Sequence, residues 1–337
     1  MQTLFEKVYQ GQHLTTDEII TISTNIFEGQ LSDIQISALL VALKLKGVTS
    51  QELTGLATIM QGKAEKMLTP PKGVMDNCGT GGDHCNSFNI STTAAFVLAG
   101  GGIPMAKHGN RSISSRSGSA DVLETLGINL TVSPEKIDYL LREVGIAFLF
   151  SPAMHPAMKY VMGIRRDLAT PTIFNLIGPI INPYRLDNQL MGTFAGDSLM
   201  ETAETLGKMG RKKAIVVHGA HGMDEANLAG TTNCAIYQEG KVSSFSFTPE
   251  EYGFKQAPIE AIVGGEAQQN RDILLSVLRN EASVYYDTIL LNAGLGFLAS
   301  GKVTTLEAGI VEAKHSLSSG AAMDCLQKLA QEQKAVA

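Results

Sequence analysis

Three capping boxes in the first 52 residues constrain the fold of this chain more than any other local feature: Thr15 with Glu18, Ser32 with Gln35, and Thr49 with Glu52. In each, a hydroxyl can satisfy the N–H three residues on, while the longer side chain returns to the cap's own N–H. Each box opens an apolar stripe at helical spacing. In the second, Ile36, Leu39, Leu40 and Leu43 fall at i, i+3, i+4 and i+7, and Gly47 stands where a left-handed C-cap belongs. The first 68 residues therefore predict a helical bundle without a strand.

Thr69-Pro70-Pro71-Lys72-Gly73 breaks this pattern, and short β-rich runs then alternate with helices. Candidate strands are residues 74–78, 103–107, 146–150, 190–194 and 214–218, with helices such as 93–99 and 134–144 between them. The second of these helices has Ser133 as N-cap and Pro134 at its first position. Helical patterns at 281–299 and 305–318 and a last helix at 321–333 close the chain. The fold class expected is α/β: a small all-helical lobe and a larger lobe with a central, mainly parallel sheet flanked by helices. Residues 154–168 read as helical again and precede a turn-rich stretch at 175–183, so the chain is expected to revisit the helical lobe and return through a hinge. The expected division is 1–70 for the helical lobe, joined by about 153–175, with 74–152 and 185–337 forming the α/β lobe. Two crossings leave a cleft between lobes.

Composition narrows the function. A chain of 337 residues, 44% hydrophobic and 18% charged, can bury two lobes and leaves little for a long disordered tail. Its net charge of −6 argues against a general nucleic-acid binder, though not against one local anion site. Residues 1–11 carry no apolar signal core, and no apolar run approaches the roughly 18 residues of a membrane span. A cytoplasmic protein without a membrane partner is expected. Cys78, Cys85, Cys234 and Cys325 form neither a C-x-x-C pair nor a zinc-spaced set, so they read as idle thiols.

Four constellations carry chemistry. Gly79-Thr80-Gly81-Gly82-Asp83 follows a strand, and its glycines let backbone N–H groups turn toward an anion. Asn89-Ile90-Ser91-Thr92 then stands before a helix, where hydroxyls and free N–H groups gather at a positive helix end; N-capping by Ser91 or Thr92 is the plainer reading. Together the two make a phosphate or diphosphate cradle. The run from Lys107 to Ser119 concentrates basic and hydroxyl side chains after another strand, a flexible loop able to wrap phosphate oxygens. Asp224-Glu225 reads alone as surface charge, yet oxygen-only ligands beside a diphosphate cradle suit Mg²⁺. Arg165-Arg166 can cap a helix C-terminus electrostatically, or one of them can grip a carboxylate substrate.

With these motifs, together with Ser117-Gly118-Ser119-Ala120-Asp121 and Thr172-Ile173-Phe174-Asn175-Leu176-Ile177-Gly178-Pro179, the chain resembles the anthranilate phosphoribosyltransferase family over essentially its whole length. The resemblance implies a homodimer that transfers the phosphoribosyl group of phosphoribosyl diphosphate to anthranilate, in tryptophan synthesis. It implies phosphoribosyl diphosphate contacts from Gly79, Gly82, Asp83, Ser87, Asn89, Ile90, Ser91, Thr92, Lys107, His108, Gly109, Asn110, Arg111, Ser112, Ile113, Ser114, Ser115 and Ser119. Mg²⁺ falls to Ser91, Asp224 and Glu225, and anthranilate to Gly79, Asn110 and Arg165. No dedicated nucleophile is implied; Lys107 stabilises the leaving group. Family members commonly have glycine where His84 stands and threonine where Ser87 stands. A nucleoside phosphorylase and a nucleic-acid-binding protein on the same scaffold are the competing readings. The hydroxyl-rich loop with the twin acids disfavours the first, and the acidic balance the second.

Overall fold

The computed structural model describes residues 1–112 and 116–333, so Ile113, Ser114 and Ser115 of the hydroxyl-rich loop lie outside the described residues. Four helices come first: α1 (Gln2–Tyr9), α2 (Thr16–Phe27), α3 (Asp33–Lys46) and α4 (Ser50–Gly62). All three capping boxes form. Glu18 N donates to Thr15 Oγ1 at 3.3 Å while Thr15 N donates to Glu18 Oε2 at 2.8 Å, and the other two boxes repeat the exchange. The stripe of α3 is buried throughout. Gly47 departs from its expected left-handed cap: its φ of 79° pairs with a ψ of 153°, which is extended. Only three residues part α3 from α4, and Thr49 must already be extended to cap the next helix, so the chain straightens at once.

The carboxylate of Glu52 does more than complete its box. Buried completely, it accepts from Leu14 N at 2.9 Å and Thr49 N at 3.0 Å and lies 2.7 Å from the Lys46 ammonium. One side chain thus fastens the α1–α2 loop to the α3–α4 junction.

A seven-stranded sheet follows, in the order β3-β2-β1-β4-β5-β6-β7. Its strands are β1 (Met75–Asp76), β2 (Met105–Gly109), β3 (Ile146–Phe150), β4 (Asn188–Gly192), β5 (Lys213–His218), β6 (Thr232–Gln238) and β7 (Lys241–Phe247). The first five are parallel and the last two antiparallel. Two expected strands shift by two residues, which leaves each side chain on its expected face. The strand expected at 74–78 pairs only through Asp76, because the Asp76 carboxylate takes the N–H groups of Asn77 (2.7 Å) and His108 (3.3 Å). The β6–β7 hairpin was not foreseen. Its turn, Glu239-Gly240, has φ of 51° and 79°, and β7 buries only Phe247, so the apolar alternation that reveals a strand is missing.

The helices of this part are α5 (Ile90–Gly100), α6 (Ser119–Thr125), α7 (Pro134–Glu143), α8 (Ser151–Met154), α9 (Lys159–Leu168), α10 (Ile173–Ile177), α11 (Leu199–Lys208), α12 (Ala267–Leu278), α13 (Val284–Ser300), α14 (Leu306–Ser318) and α15 (Ala321–Gln333). Strand periodicity divides the core in two. Ile215 and Val217 of β5 join the cluster built with α5, α13, α14 and α15. Ala214 and Val216 face the other cluster, which runs through Ala203 and Leu206 of α11 into the four N-terminal helices. That second cluster also takes Val161 and Ile164 of α9 and Phe174 of α10, so the segment after α8 packs on the bundle. Asn182 fastens its return: Nδ2 donates to Asp76 Oδ2 (3.0 Å) and to the Ala106 carbonyl (2.9 Å). Among the described residues no helix is long and apolar enough to cross a membrane.

Candidate active site

The glycine turn after β1 runs along the end of β4, with Gly79 bridged to Gly192 and Thr80 N donating to the Gly192 carbonyl at 3.0 Å. Two glycines make room for Asp224. A Cβ on Gly79 would stand 2.2 Å from Asp224 Oδ2, and one on Gly192 would stand 1.5 Å from the Asp224 carbonyl oxygen. Gly81, at φ 63°, donates its N–H to Asp224 Oδ2 at 2.7 Å. His84 also takes a left-handed φ of 58° in this loop.

Asp83 arrives beside the twin acids: carboxylate oxygens of Asp83, Asp224 and Glu225 lie within 4.8 Å of one another. The sequence assigned Asp83 to the diphosphate, and its share in an acid cluster was missed. Burial, with Asp83 alongside, pushes Asp224 up to about 6, and burial with Asp224 beside it raises Glu225 well above the usual carboxylate range. A divalent cation would relieve that repulsion, and an all-oxygen donor set suits Mg²⁺. Ser91, Asp224 and Glu225 line one cavity of about 20 Å³, so the three residues assigned to the metal do converge on a single space.

Helix α5 starts three residues earlier than expected, which places Ser91 and Thr92 inside its first turn instead of ahead of it. Asn89 holds the cap position without a side-chain cap bond. First-turn N–H groups therefore have no side-chain cap and suit an anion. Asn89 instead accepts from Asn270 Nδ2 (2.8 Å) and donates to the Ser117 carbonyl (3.2 Å), while Thr92 donates to Ser119 Oγ (2.9 Å). Ser87 bridges Val263. The cradle and the hydroxyl-rich loop are thus stitched together.

Lys107 and His108, on β2, are buried; Lys107 Nζ donates to the His108 carbonyl at 3.3 Å. His108 Nδ1 lies 3.2 Å from the Gly178 carbonyl, and its ring meets His155 edge-on at 5.1 Å. Burial, then His155, holds His108 well below the usual histidine range. Gly109 ends the strand and Asn110 is exposed. Arg111 is engaged with α6, two of its nitrogens lying 2.6 and 2.7 Å from Glu124 and one 3.0 Å from Asp121, and not with the acid cluster. Asp121 pins both ends of the loop, accepting from Ser112 N (3.1 Å) and Gly118 N (2.8 Å).

The two arginines of α9 part company. Arg166 is exposed beside Asp167, whereas Arg165 is half-buried with its guanidinium 5.7 Å from the centre of the Phe174 ring. Among the described residues Arg165 has no carboxylate partner at ion-pair distance, and burial lowers its pKa from the usual arginine value. Asn292 was also missed, since it sits in an apolar helical pattern. Its amide holds both the N–H (3.1 Å) and the carbonyl (2.8 Å) of Ala226, fixing the backbone directly after Glu225.

The chain is matched by two family models: the helical bundle domain of a glycosyl transferase family over residues 2–64, and its a/b domain over residues 71–323. They define a glycosyl transferase. The relatives are more specific. Anthranilate phosphoribosyltransferase of Listeria monocytogenes is 54% identical over 336 residues, covering 100% of this chain and 99% of that protein. The enzyme of Streptococcus gordonii is 52% identical over 334 residues, covering 99% and 100%. The chain belongs to the anthranilate phosphoribosyltransferase family. The crystal structure of the Thermus thermophilus enzyme superposes with a TM-score of 0.92 at 37% identity, covering 98% of this chain and 99% of that one. That of the Saccharomyces cerevisiae enzyme in complex with PRPP and Mg superposes at 0.85 with 25% identity, covering 95% and 93%.

Proposed function

We propose that this chain joins anthranilate to 5-phosphoribosyl 1-diphosphate, giving N-(5-phosphoribosyl)anthranilate and diphosphate, the second step of tryptophan synthesis from chorismate. The observation that carries the site assignment is the single cavity walled by Ser91, Asp224 and Glu225 beside the glycine turn. Phosphoribosyl diphosphate is assigned to the turn, the first turn of α5 and the loop from Lys107 to Ser119, with the residues named from the resemblance. Mg²⁺ is assigned to Ser91, Asp224 and Glu225, with Asp83 completing the acid cluster; when bound it supplies positive charge to the departing diphosphate.

The chain's own residues account for the remaining chemistry. An aryl amine is neutral at pH 7 and needs no base to become a nucleophile, so the barrier lies in leaving-group departure. First-turn N–H groups of α5 and the buried Lys107 side chain stabilise charge developing on diphosphate. Arg165, without a carboxylate of its own, orients the anthranilate carboxylate and brings the amine behind the anomeric carbon.

A homodimer and a cytoplasmic location complete the reading. Support for the first is an apolar groove of about 870 Å³ on α1 and α3, where Ile34, Val41 and Leu45 form a second, outward stripe on a helix whose inner stripe is already buried. Sedimentation velocity checks it, with Ile34→Glu expected to favour monomers and a monomeric parent protein contradicting it. The activity is tested by following anthranilate fluorescence on mixing with phosphoribosyl diphosphate and Mg²⁺. Its loss with stoichiometric diphosphate release is expected; a stable signal, or phosphorolysis of a nucleoside instead, would overturn the proposal.

A further inference from the structure

We propose that Asn77 is a positioning residue for the magnesium site: its Oδ1 accepts a hydrogen bond from a water in the ion's hydration shell. The inference rests on the magnesium reading above and adds to it a residue outside the assigned ligand set.

Asn77 follows β1 and is buried, only 4% exposed. Its Nδ2 donates to the Ser91 carbonyl at 2.8 Å. A carbonyl cannot donate, so this contact fixes which way the amide points. Oδ1 is therefore committed to the other side, and there it has no donor among the described residues. A buried acceptor left unpaired is costly, so a donor from outside the chain belongs at that atom.

The surroundings say what kind of donor. Asn77 lines the same cavity of about 20 Å³ as Ser91, Asp224, Glu225 and Asn292. Asn292 has nothing to offer, because its Nδ2 already serves the Ala226 and Thr288 carbonyls at 2.8 and 2.9 Å. Asn77, Ser91, Asp224 and Glu225 thus border one small space, and each can offer an acceptor oxygen to a water there. Acceptors on several sides select a water that donates with both hydrogens, which is the disposition of a water whose lone pairs face a cation. Mg²⁺ characteristically keeps several such waters.

The test uses Mn²⁺ alone as probe, with free Mn²⁺ read by its EPR signal during titration of the full-length protein. The parent protein, Asn77→Ala and Asn77→Asp are compared, and melting temperatures are recorded without metal. Alanine removes both polar functions, whereas aspartate keeps the acceptor, loses the donor to Ser91 and adds a negative charge that can only favour the cation. Loss of such an outer-shell partner typically costs 10- to 100-fold in metal affinity. The expected result is Mn²⁺ affinity about tenfold weaker in Asn77→Ala but retained in Asn77→Asp, with the Mg²⁺ concentration for half-maximal activity moving in step and the KM for anthranilate unmoved. Equal weakening in both variants would assign Asn77 to holding Ser91 in place and overturn the inference, as would unchanged affinity in Asn77→Ala. Should Asn77→Ala not fold, Asn77→Leu, of nearly the same volume, takes its place. Failure of the parent protein to bind Mn²⁺ would be a different outcome, removing the magnesium reading itself.

Discussion

His84 holds a left-handed φ of 58° in the glycine turn, where glycine would sit without strain. Histidine there costs about 1 kcal/mol of strain, and glycine about as much in chain entropy, so the two nearly cancel in stability. His84→Gly is expected to leave the melting temperature nearly unchanged. Added freedom in the loop should raise the KM for phosphoribosyl diphosphate roughly threefold; unchanged steady-state kinetics would remove His84 from the account. Arg165→Ala should raise the KM for anthranilate by about 2 kcal/mol, roughly thirtyfold, with Arg166→Ala without effect. Equal losses for both substrates would contradict the assignment. His155 makes a third case. Burial depresses its pKa to about 4, so between pH 6.5 and 4 the unfolded chain binds the proton and the folded one does not. Its contribution to stability is intact above 6.5 and falls by about 3 kcal/mol as pH drops through that window. Urea unfolding at pH 7 and pH 4.5 should show a smaller acid loss in His155→Phe than in the parent; identical losses would sink the idea. For the twin acids, which read alone as surface charge, and for Arg165, which only the resemblance tells from Arg166, the sequence offered candidates; the glycine turn was legible outright because residue type and order announce it. Asp83's place in the acid cluster, and the work of Asn77 and Asn292, were not, since side chains far apart in the chain meet only after the sheet forms.

At the scale of elements, the capping boxes were readable because their chemistry lies within four residues, and all three form. The Glu52 carboxylate is the exception, since its partners Lys46 and Leu14 come from other segments. Glu52→Gln would leave a buried ammonium without its counter-charge, a loss of about 3 kcal/mol. Chemical denaturation should register it as a lower midpoint with an unchanged slope; a change below about 1 kcal/mol would show that solvent reaches the pair. The β6–β7 hairpin escaped notice for the opposite reason. An exposed edge strand buries too little to carry an apolar alternation, and its turn is marked by one glycine alone. β3 and β5 were placed to within a residue, whereas the equally buried β2 and β4 lie two residues from their expected bounds, so burial alone does not fix where a strand begins.

At the scale of the molecule, both faces of one sheet are used, so that the helical bundle and the glycosyl transferase site share a scaffold. The segment that revisits the bundle is tied back by Asn182 to Asp76, at the root of the glycine turn. The root of the glycine turn and the lobe connection are thereby joined by contacts on adjacent parallel strands. Mg²⁺ held by Ser91, Asp224 and Glu225 beside the glycine turn is the proposal on which the rest depends. A crystal of the phosphoribosyl diphosphate complex grown with Mn²⁺, examined by anomalous scattering, tests it most directly. A Mn²⁺ peak within about 2.5 Å of oxygens from all three residues is expected. A metal bound only by the diphosphate, or held away from those side chains, would contradict the claim.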